Sequence, residues 1–144
     1  MKKSRVLVVM LFALQLAHAQ SETSLIESTL KKYMDGSSYN KLELIQSAFT
    51  KNATLYLSGR DGFKRYTPKE YTNFFKSRKT GEFNGRYTQI LAIEVIKDIA
   101  TAKVKIAIPK RKWVYIDLFL LKKTAQGWKI ISKTATRIDD GKNK

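Results

Sequence analysis

The chain has 144 residues, a formal net charge of +16 and no cysteine. A chain of this length is the size of a single domain, and without disulfides its fold must depend on a hydrophobic core. Its one histidine, His18, lies close to the N-terminus.

The first 19 residues have the pattern of a cleavable signal peptide. A basic segment, Lys2–Arg5, precedes the apolar run Val6–Leu16, and Ala17-His18-Ala19 provides a small-x-small cleavage motif before Gln20. The apolar run has eleven residues, whereas a membrane-spanning helix needs about 20. An N-terminal membrane anchor or a buried helix is the alternative. We expect a periplasmic or secreted protein.

Cleavage would leave one domain, residues 20–144, which contains neither histidine nor cysteine. This composition excludes Ser-His-Asp and Cys-His catalysis, the usual zinc sites and histidine acid–base chemistry. Any catalysis would have to use carboxylate, tyrosine, lysine or arginine side chains. We expect no metal and no cofactor.

The mature chain would be strongly basic. The signal peptide removes three of the 28 basic residues, so 25 remain against 12 acidic ones, a net charge of +13. Such a balance implies attraction to anionic surfaces. Because export argues against nucleic acid, anionic lipid headgroups or envelope polymers are the expected partners. Dispersed lysines that keep a secreted domain soluble are the alternative.

The mature chain begins with sequence patterns typical of helices. Ser24-x-x-Glu27 can form a capping box, and Asp35-Gly36 is expected to end the helix that it starts. Apolar side chains recur on one face of this helix: Ile26, Leu30, Tyr33 and Met34. Asn40-x-x-Glu43 begins a second helix, whose inward side chains are Leu42, Ile45 and Phe49.

A hairpin and a third helix follow. Strands are predicted at 53–58 and 63–66, joined by a turn at Gly59–Gly62. Thr67-Pro68-Lys69-Glu70 combines an N-cap, a proline at the first helical position and a capping glutamate. The aromatic side chains of this helix are Tyr71, Phe74 and Phe75.

Four strands joined by short turns complete the chain as an antiparallel meander. They are predicted at 86–97, 100–109, 112–123 and 128–137. Strand alternation places one set of side chains on the face toward the helices: Trp113, Tyr115, Asp117, Phe119 and Leu121.

The opposite face of the meander combines a basic rim with an aliphatic stripe. The rim consists of Lys103, Lys105, Lys122, Lys129, Lys133 and Arg137. The stripe consists of Val114, Ile116, Leu118, Leu120 and Ile131. Monomers rarely leave such a stripe open, so we expect a homodimer.

Short motifs spread over the mature chain carry a resemblance to a known superfamily. They are Tyr33-Met34-Asp35-Gly36, Ala48-Phe49-x-x-x-Ala53, Ile90-Leu91-Ala92-Ile93, Ala100-x-Ala102-Lys103-Val104, Asp117-x-x-Leu120-Leu121-Lys122 and Gly127-Trp128-Lys129-Ile130-Ile131-Ser132-Lys133. With helices ahead of a long sheet, the chain resembles the cone-shaped proteins related to nuclear transport factor two, ketosteroid isomerase and scytalone dehydratase. Within this superfamily it looks like the bacterial "putative lumazine-binding" branch.

The resemblance implies an α+β fold in which N-terminal helices pack in the concave face of a curved antiparallel sheet, a cystatin-like cone. It also implies a pocket between helices and sheet, and frequent dimers through the opposite face. Asp117 matches the superfamily's aspartate in the penultimate strand. The aspartate–histidine pair of the dehydratases cannot be carried over, because the mature chain has no histidine.

The expected site surrounds Asp117, which lies mid-strand among apolar neighbours. A carboxylate there is costly unless it is hydrogen-bonded, and desolvation would strengthen it as a base. Tyr115 would donate a hydrogen bond, and Trp113 or Phe119 would stack on the ligand. The expected ligand-binding side chains are Trp113, Tyr115, Asp117, Phe119, Ser132 and Thr134. A structural aspartate satisfied by strand hydroxyls is the alternative.

Together these features favour an exported, non-enzymatic domain that binds a small aromatic or amphipathic molecule. Two other functions stay open. One is a pocket enzyme of isomerase or dehydratase type with Asp117 as base and Tyr115 beside it. The other is a cationic module associated with the cell envelope. An open cavity beside Asp117 would favour binding or catalysis, whereas a filled cone would favour the envelope module.

Overall fold

A computed structural model of the chain describes residues 22–59 and 62–139. The predicted signal peptide and the tail at 141–144 lie outside the described residues, as do Arg60 and Asp61 of the predicted turn. Within the described ranges, no helix combines the length and the apolar character that a membrane crossing requires.

Three helices precede the meander: α1 at 22–38, α2 at Leu42–Ala48 and α3 at Pro68–Thr72. Both predicted ends of α1 are wrong. Ser24 lies inside the helix, which already includes residue 22, and Gly36 lies inside its last turn. The chain leaves α1 at Asn40, whose φ of 57° is left-handed. Lys41, which precedes α2, makes no side-chain capping bond.

Gly36 serves the packing of α2 against α1 and does not end the helix. A Cβ at this position would lie 2.7 Å from Cγ1 of Ile45 and 2.8 Å from its backbone nitrogen. Only a residue without a side chain permits this approach. Asn40 has a tertiary role as well, because its side-chain amide donates to the carbonyl oxygens of Lys79 (3.0 Å) and Glu82 (2.9 Å).

A six-stranded sheet forms the second layer. Its strands are β1 Phe49–Gly59, β2 Gly62–Tyr66, β3 Tyr87–Ile96, β4 Ile99–Ile108, β5 Trp113–Thr124 and β6 Gly127–Arg137, in the order β2-β1-β6-β5-β4-β3. The predicted meander of β3 to β6 is confirmed. The sheet is mixed, because β1 pairs with β6 in parallel. A long connection separates these two strands, and a parallel pair needs such a crossover.

The helices cover the concave face of the sheet, and the core lies between the two layers. Ile26, Leu30 and Tyr33 of α1 are fully buried. Opposite them lie buried side chains from every long strand of the sheet except β3: Phe49, Leu55, Ala102, Val104, Ile106, Phe119, Leu121 and Ile130. This arrangement places the middle of β5, and Asp117 with it, directly beneath α1.

An extra residue in β6 changes which of its side chains enter the core. Leu121 pairs with Ile130 but Leu120 pairs with Ser132, so Ile131 is left over as a β-bulge. Beyond the bulge, Lys133 pairs with Phe119 on the concave face. Because a shift of one residue moves every later side chain to the opposite face, the register predicted from uninterrupted alternation is wrong beyond Ile131.

The convex face carries the predicted aliphatic stripe. Leu118, Leu120 and Ile131 are exposed there, while Val114 and Ile116 are half-buried. Two members of the predicted basic rim are misplaced. The bulge turns Lys133 and Arg137 to the concave face, where they pair with Phe119 and Tyr115 respectively.

Candidate functional site

Asp117 is buried, and its carboxylate contacts two donors. The hydroxyl of Tyr33 donates to Oδ2 over 2.7 Å, and Nζ of Lys133 lies 3.1 Å from the same oxygen. The side chains of Lys133 and Asp117 are 2% and 3% exposed. A desolvated carboxylate is stable only with such partners, and the fold supplies both from other elements, α1 and β6.

Lys133 is enclosed by aromatic rings. Its Nζ lies 5.8 Å from the ring centre of Tyr33, 5.4 Å from that of Tyr71 and 5.9 Å from that of Phe119. Cations bind ring faces at such distances, and the attraction grows when water is excluded. The space beside Asp117 that a ligand would need is therefore filled by the protein's own ammonium group.

Tyr33 connects Asp117 to α3. Its hydroxyl lies 2.9 Å from that of Tyr71, and the two rings stack with centres 6.2 Å apart. Burial and the negative charge of Asp117 raise the pKa of Tyr33 well above its usual value. The phenol therefore stays protonated and donates its hydrogen bond to the carboxylate.

The capping box predicted for the third helix is confirmed and positions Tyr71. Thr67 accepts from the backbone nitrogen of Glu70, and the backbone nitrogen of Thr67 donates to the Glu70 carboxylate over 2.7 Å. This backbone hydrogen bond and one from the Thr67 hydroxyl lower the pKa of Glu70. The cap fixes the start of a five-residue helix that would otherwise be too short to be stable.

Arg86 is a cation whose side chain has no hydrogen-bond acceptor among residues 22–59 and 62–139. Its Nε is enclosed and has no hydrogen-bond partner among the described residues, and its guanidinium carbon lies 5.6 Å from the ring centre of Phe75. Burial by itself would lower the pKa of Arg86, but the neighbouring Tyr71, Tyr33, Asp117 and Tyr115 raise it overall. The group remains charged, and the residue as a whole is half-buried.

The open end of the concave face carries further aromatic and basic groups. Trp113 and Tyr115 are half-buried neighbours on β5 with ring centres 6.3 Å apart. The guanidinium carbons of Arg111 and Arg137 lie 4.8 Å and 5.7 Å from the Trp113 ring. We refer to Arg86, Trp113, Tyr115 and Arg137 as the rim site.

The structure separates the predicted site residues into three groups. Asp117 and Phe119 are buried under the helices, and Trp113 and Tyr115 lie at the rim. The expected placement of Ser132 and Thr134 beside Asp117 is wrong. They pair with Leu120 and Leu118 on the convex face, because the bulge shifts the register.

Five residues of the site were not predicted as its members: Tyr33, Tyr71, Arg86, Lys133 and Arg137. Tyr33 was assigned to the apolar face of the first helix, and Tyr71 to the core or the wall of the pocket. For Lys133 one signal was available, because the consecutive apolar pair Ile130-Ile131 interrupts the alternation of β6, as a bulge does. No local pattern marks Arg86, which precedes β3 and whose guanidinium lies over the ring of Phe75.

An open cleft of about 490 Å³ lies outside the cone, between β2 and α3. It is lined by Lys64, Arg65, Tyr66, Glu70, Asn73 and Phe74. It contains none of the predicted site residues, and its carboxylate, Glu70, already serves the helix cap. The rim site is the stronger candidate, because there the enclosed Nε of Arg86 has no hydrogen-bond acceptor within the described part of the chain. Among the described residues no group of acidic side chains could hold a metal ion.

Comparison with known families decides where the chain belongs. The sequence model of the family described as "Putative lumazine-binding" matches residues 21–135. The chain belongs to this family. No curated protein sequence matches it.

Solved structures agree on the fold of this lumazine-binding family member. A nuclear transport factor two-like protein of unknown function from Shewanella baltica is 19% identical with a TM-score of 0.71, covering 82% of this chain and 94% of that chain. One from Methylobacillus flagellatus is 24% identical with a TM-score of 0.71, covering 82% and 93%. A ketosteroid isomerase-like protein from Erwinia carotovora atroseptica is 18% identical with a TM-score of 0.59, covering 81% and 95%. The predicted α+β cone is confirmed.

Proposed function

We propose that this member of the lumazine-binding family is an exported domain that binds a small aromatic or amphipathic molecule at the rim site without transforming it. The family description supports a small-molecule ligand. The contacts of Lys133 support a location away from Asp117, because Lys133 and three rings surround that carboxylate. A ligand would contact the half-buried Trp113 and Tyr115 instead.

The observation that carries this proposal is that the carboxylate of Asp117 already contacts Tyr33 and Lys133. A general base must come within hydrogen-bond reach of the proton that it removes. Here Oδ2 already accepts from Tyr33 and pairs with Lys133, and the carboxylate is almost completely buried. These contacts argue against an isomerase or dehydratase mechanism based on Asp117, and thus support the non-enzymatic part of the proposal.

A second function, a cationic module of the cell envelope, is favoured by the tip between β4 and β5. Lys110, Arg111 and Lys112 are all exposed, and Arg111 stacks on Trp113. Clustered positive charge beside an indole ring suits the surface of an anionic membrane. The filled interior also fits such a module, which needs no pocket.

The test is native mass spectrometry of the protein purified from its own host. We expect a bound molecule that is released on denaturation. Tyr115→Ala should remove it, whereas the control Tyr87→Ala should retain it, because Tyr87 is an exposed tyrosine outside the rim site. The same spectra report processing, and export predicts a chain that begins at Gln20.

Two results would contradict the proposal. A host-purified protein without any bound molecule that sediments with anionic vesicles in an Arg111-dependent manner would establish the envelope module in its place. A chain that retains residues 1–19 would overturn export.

A further inference from the structure

The charge at the rim site is unbalanced. Lys133 and Asp117 neutralise each other at 3.1 Å, and Arg137 pairs with Asp139 at 3.1 Å between Nε and Oδ1. Arg86 has no such partner among the described residues, and its Nε is enclosed without an acceptor. The charge that remains at the site after pairing is therefore the guanidinium of Arg86.

An enclosed guanidinium nitrogen without an acceptor is costly, and proteins satisfy such a group with an oxyanion where they can. None of the described neighbours of Arg86 offers it a free oxyanion, because the one carboxylate near it, Asp117, is already paired with Lys133. The hydroxyls of Tyr33 and Tyr71 already bond to each other, and Tyr33 also donates to Asp117. Because Arg86 is only half-buried as a residue, part of its side chain remains accessible to a molecule that arrives from solvent.

We propose that the ligand of the rim site is an aromatic anion and that Arg86 binds its acidic group, an inference that rests on the proposed function. A guanidinium presents a planar fork of donors that matches a carboxylate, sulfonate or phosphate. The rings of Tyr115 and Trp113 lie at the same end of the concave face and offer an apolar surface to the aromatic body. A neutral ligand of the same shape would leave the charge of Arg86 unpaired.

Two fluorescent probes that share a ring system but differ in charge test whether the site recognises the acidic group of its ligand. Anilinonaphthalene sulfonate is an aromatic anion, and phenylnaphthylamine has the same ring system without the acidic group. We expect the wild-type protein to bind the anion at least about tenfold more tightly than the neutral probe, the gain typical of one hydrogen bond to a charged group. Arg86→Met should abolish this preference and leave the affinity for the neutral probe unchanged.

Two controls remove the same charge elsewhere. Arg78 lies over the same Phe75 ring as Arg86, at 5.9 Å, but is exposed. Arg65 lines the outer cleft. Arg78→Met and Arg65→Met should both retain the preference for the anion. Arg86→Lys keeps the charge without the fork and should lose part of the preference, so a result is available even if Arg86→Met does not fold.

A failure of the anionic-ligand proposal can be distinguished from a failure of the proposed function. If the neutral probe binds as tightly as the anion and Arg86→Met changes neither affinity, the anionic ligand is excluded while binding at the rim survives. If Arg65→Met abolishes anion binding and Arg86→Met does not, the site is the outer cleft. If neither probe binds the wild-type protein, the proposed function itself fails.

Discussion

Lys133 and Asp117 form an ion pair across the concave face, with 3.1 Å between Nζ and Oδ2 and with both side chains almost fully buried. Each charge is tolerated in the interior because the other is present. Removing one partner of such a pair leaves an uncompensated buried charge, which costs far more than the pair contributes. This asymmetry makes the pair testable.

Asp117→Asn should lower the free energy of unfolding by about 3–5 kcal/mol, because Lys133 would keep its charge without a counter-ion. Lys133→Met should be destabilising for the same reason. The double variant should recover most of the loss, since it removes both buried charges. Urea unfolding of the four proteins measures the coupling.

Asp98→Asn is the control for this cycle, because Asp98 pairs with Lys122 at the protein surface. Exposed pairs contribute little, so its stability should hardly change. Strictly additive losses in the double variant would show that Asp117 and Lys133 are not coupled, and the assignment of a paired structural carboxylate would then be wrong.

Tyr33 should make the protein sensitive to alkaline pH. Its pKa in the folded state is raised by burial and by Asp117, so the folded protein holds this proton more tightly than the unfolded chain does. The resulting stability is complete below the unfolded pKa of about 10 and is lost as the pH rises above it. Tyr33→Phe should be less stable at neutral pH and should lose stability less steeply above pH 10.

Denaturant midpoints across the alkaline range measure this effect, and phenolate absorbance follows the ionisation directly. Tyr87→Phe is the control, because Tyr87 is exposed. This variant should lose stability with rising pH as steeply as the wild-type protein does. Early, fully reversible ionisation of all seven tyrosines without unfolding would contradict a buried donor at Tyr33.

Gly36→Ala should destabilise the protein, although alanine is favoured over glycine in helices by about 1 kcal/mol. The new Cβ would meet Ile45 at 2.7 Å from Cγ1 and 2.8 Å from the backbone nitrogen. Overpacking of this kind typically costs about 1–3 kcal/mol. Adding Ile45→Ala removes only the side-chain contact, so recovery should be partial. Lys32→Ala, on the exposed side of α1, should have little effect in thermal melts.

We expect a homodimer through the convex face. Leu118 and Leu120 are 45% and 50% exposed at its centre, and an interface of about 1,600 Å² would cover them. Leu120→Lys should yield stable monomers in analytical ultracentrifugation at micromolar concentration. Phe63→Lys, which changes an exposed aromatic residue on β2, should remain dimeric. A wild-type protein that is already monomeric at micromolar concentration would refute the interface.

Sequence patterns predicted the meander and α3 because their signals are local. Alternation over ten residues and a turn between strands determine a hairpin without reference to the rest of the chain. The same holds for Thr67 and Glu70, whose capping bonds span three residues. The end of α1 was mispredicted because Gly36 does not terminate the helix. It is needed for the close approach of Ile45, nine residues away.

The candidate site was predictable only in part. Asp117 was identified as a polar residue on an apolar face, but its partners come from α1 and β6. The partner from β6 depends on a bulge that reverses the strand's alternation. Arg86 was identified only in the structure, because its enclosed Nε has no acceptor among the residues that the structure describes, and this is a property of packing and not of any motif.

The bulge at Ile131 sets the chemistry of the interior. If Ile131 paired with Leu120 in an uninterrupted strand, every later side chain of β6 would move to the other face. Hydroxyl groups from Ser132 and Thr134 would then line the cone beside Asp117, and Lys133 would face solvent. The choice between a sealed, self-neutralised interior and a polar chamber therefore depends on strand pairing, and deleting Ile131 would leave the later residues on their present faces because Ser132 already pairs with Leu120.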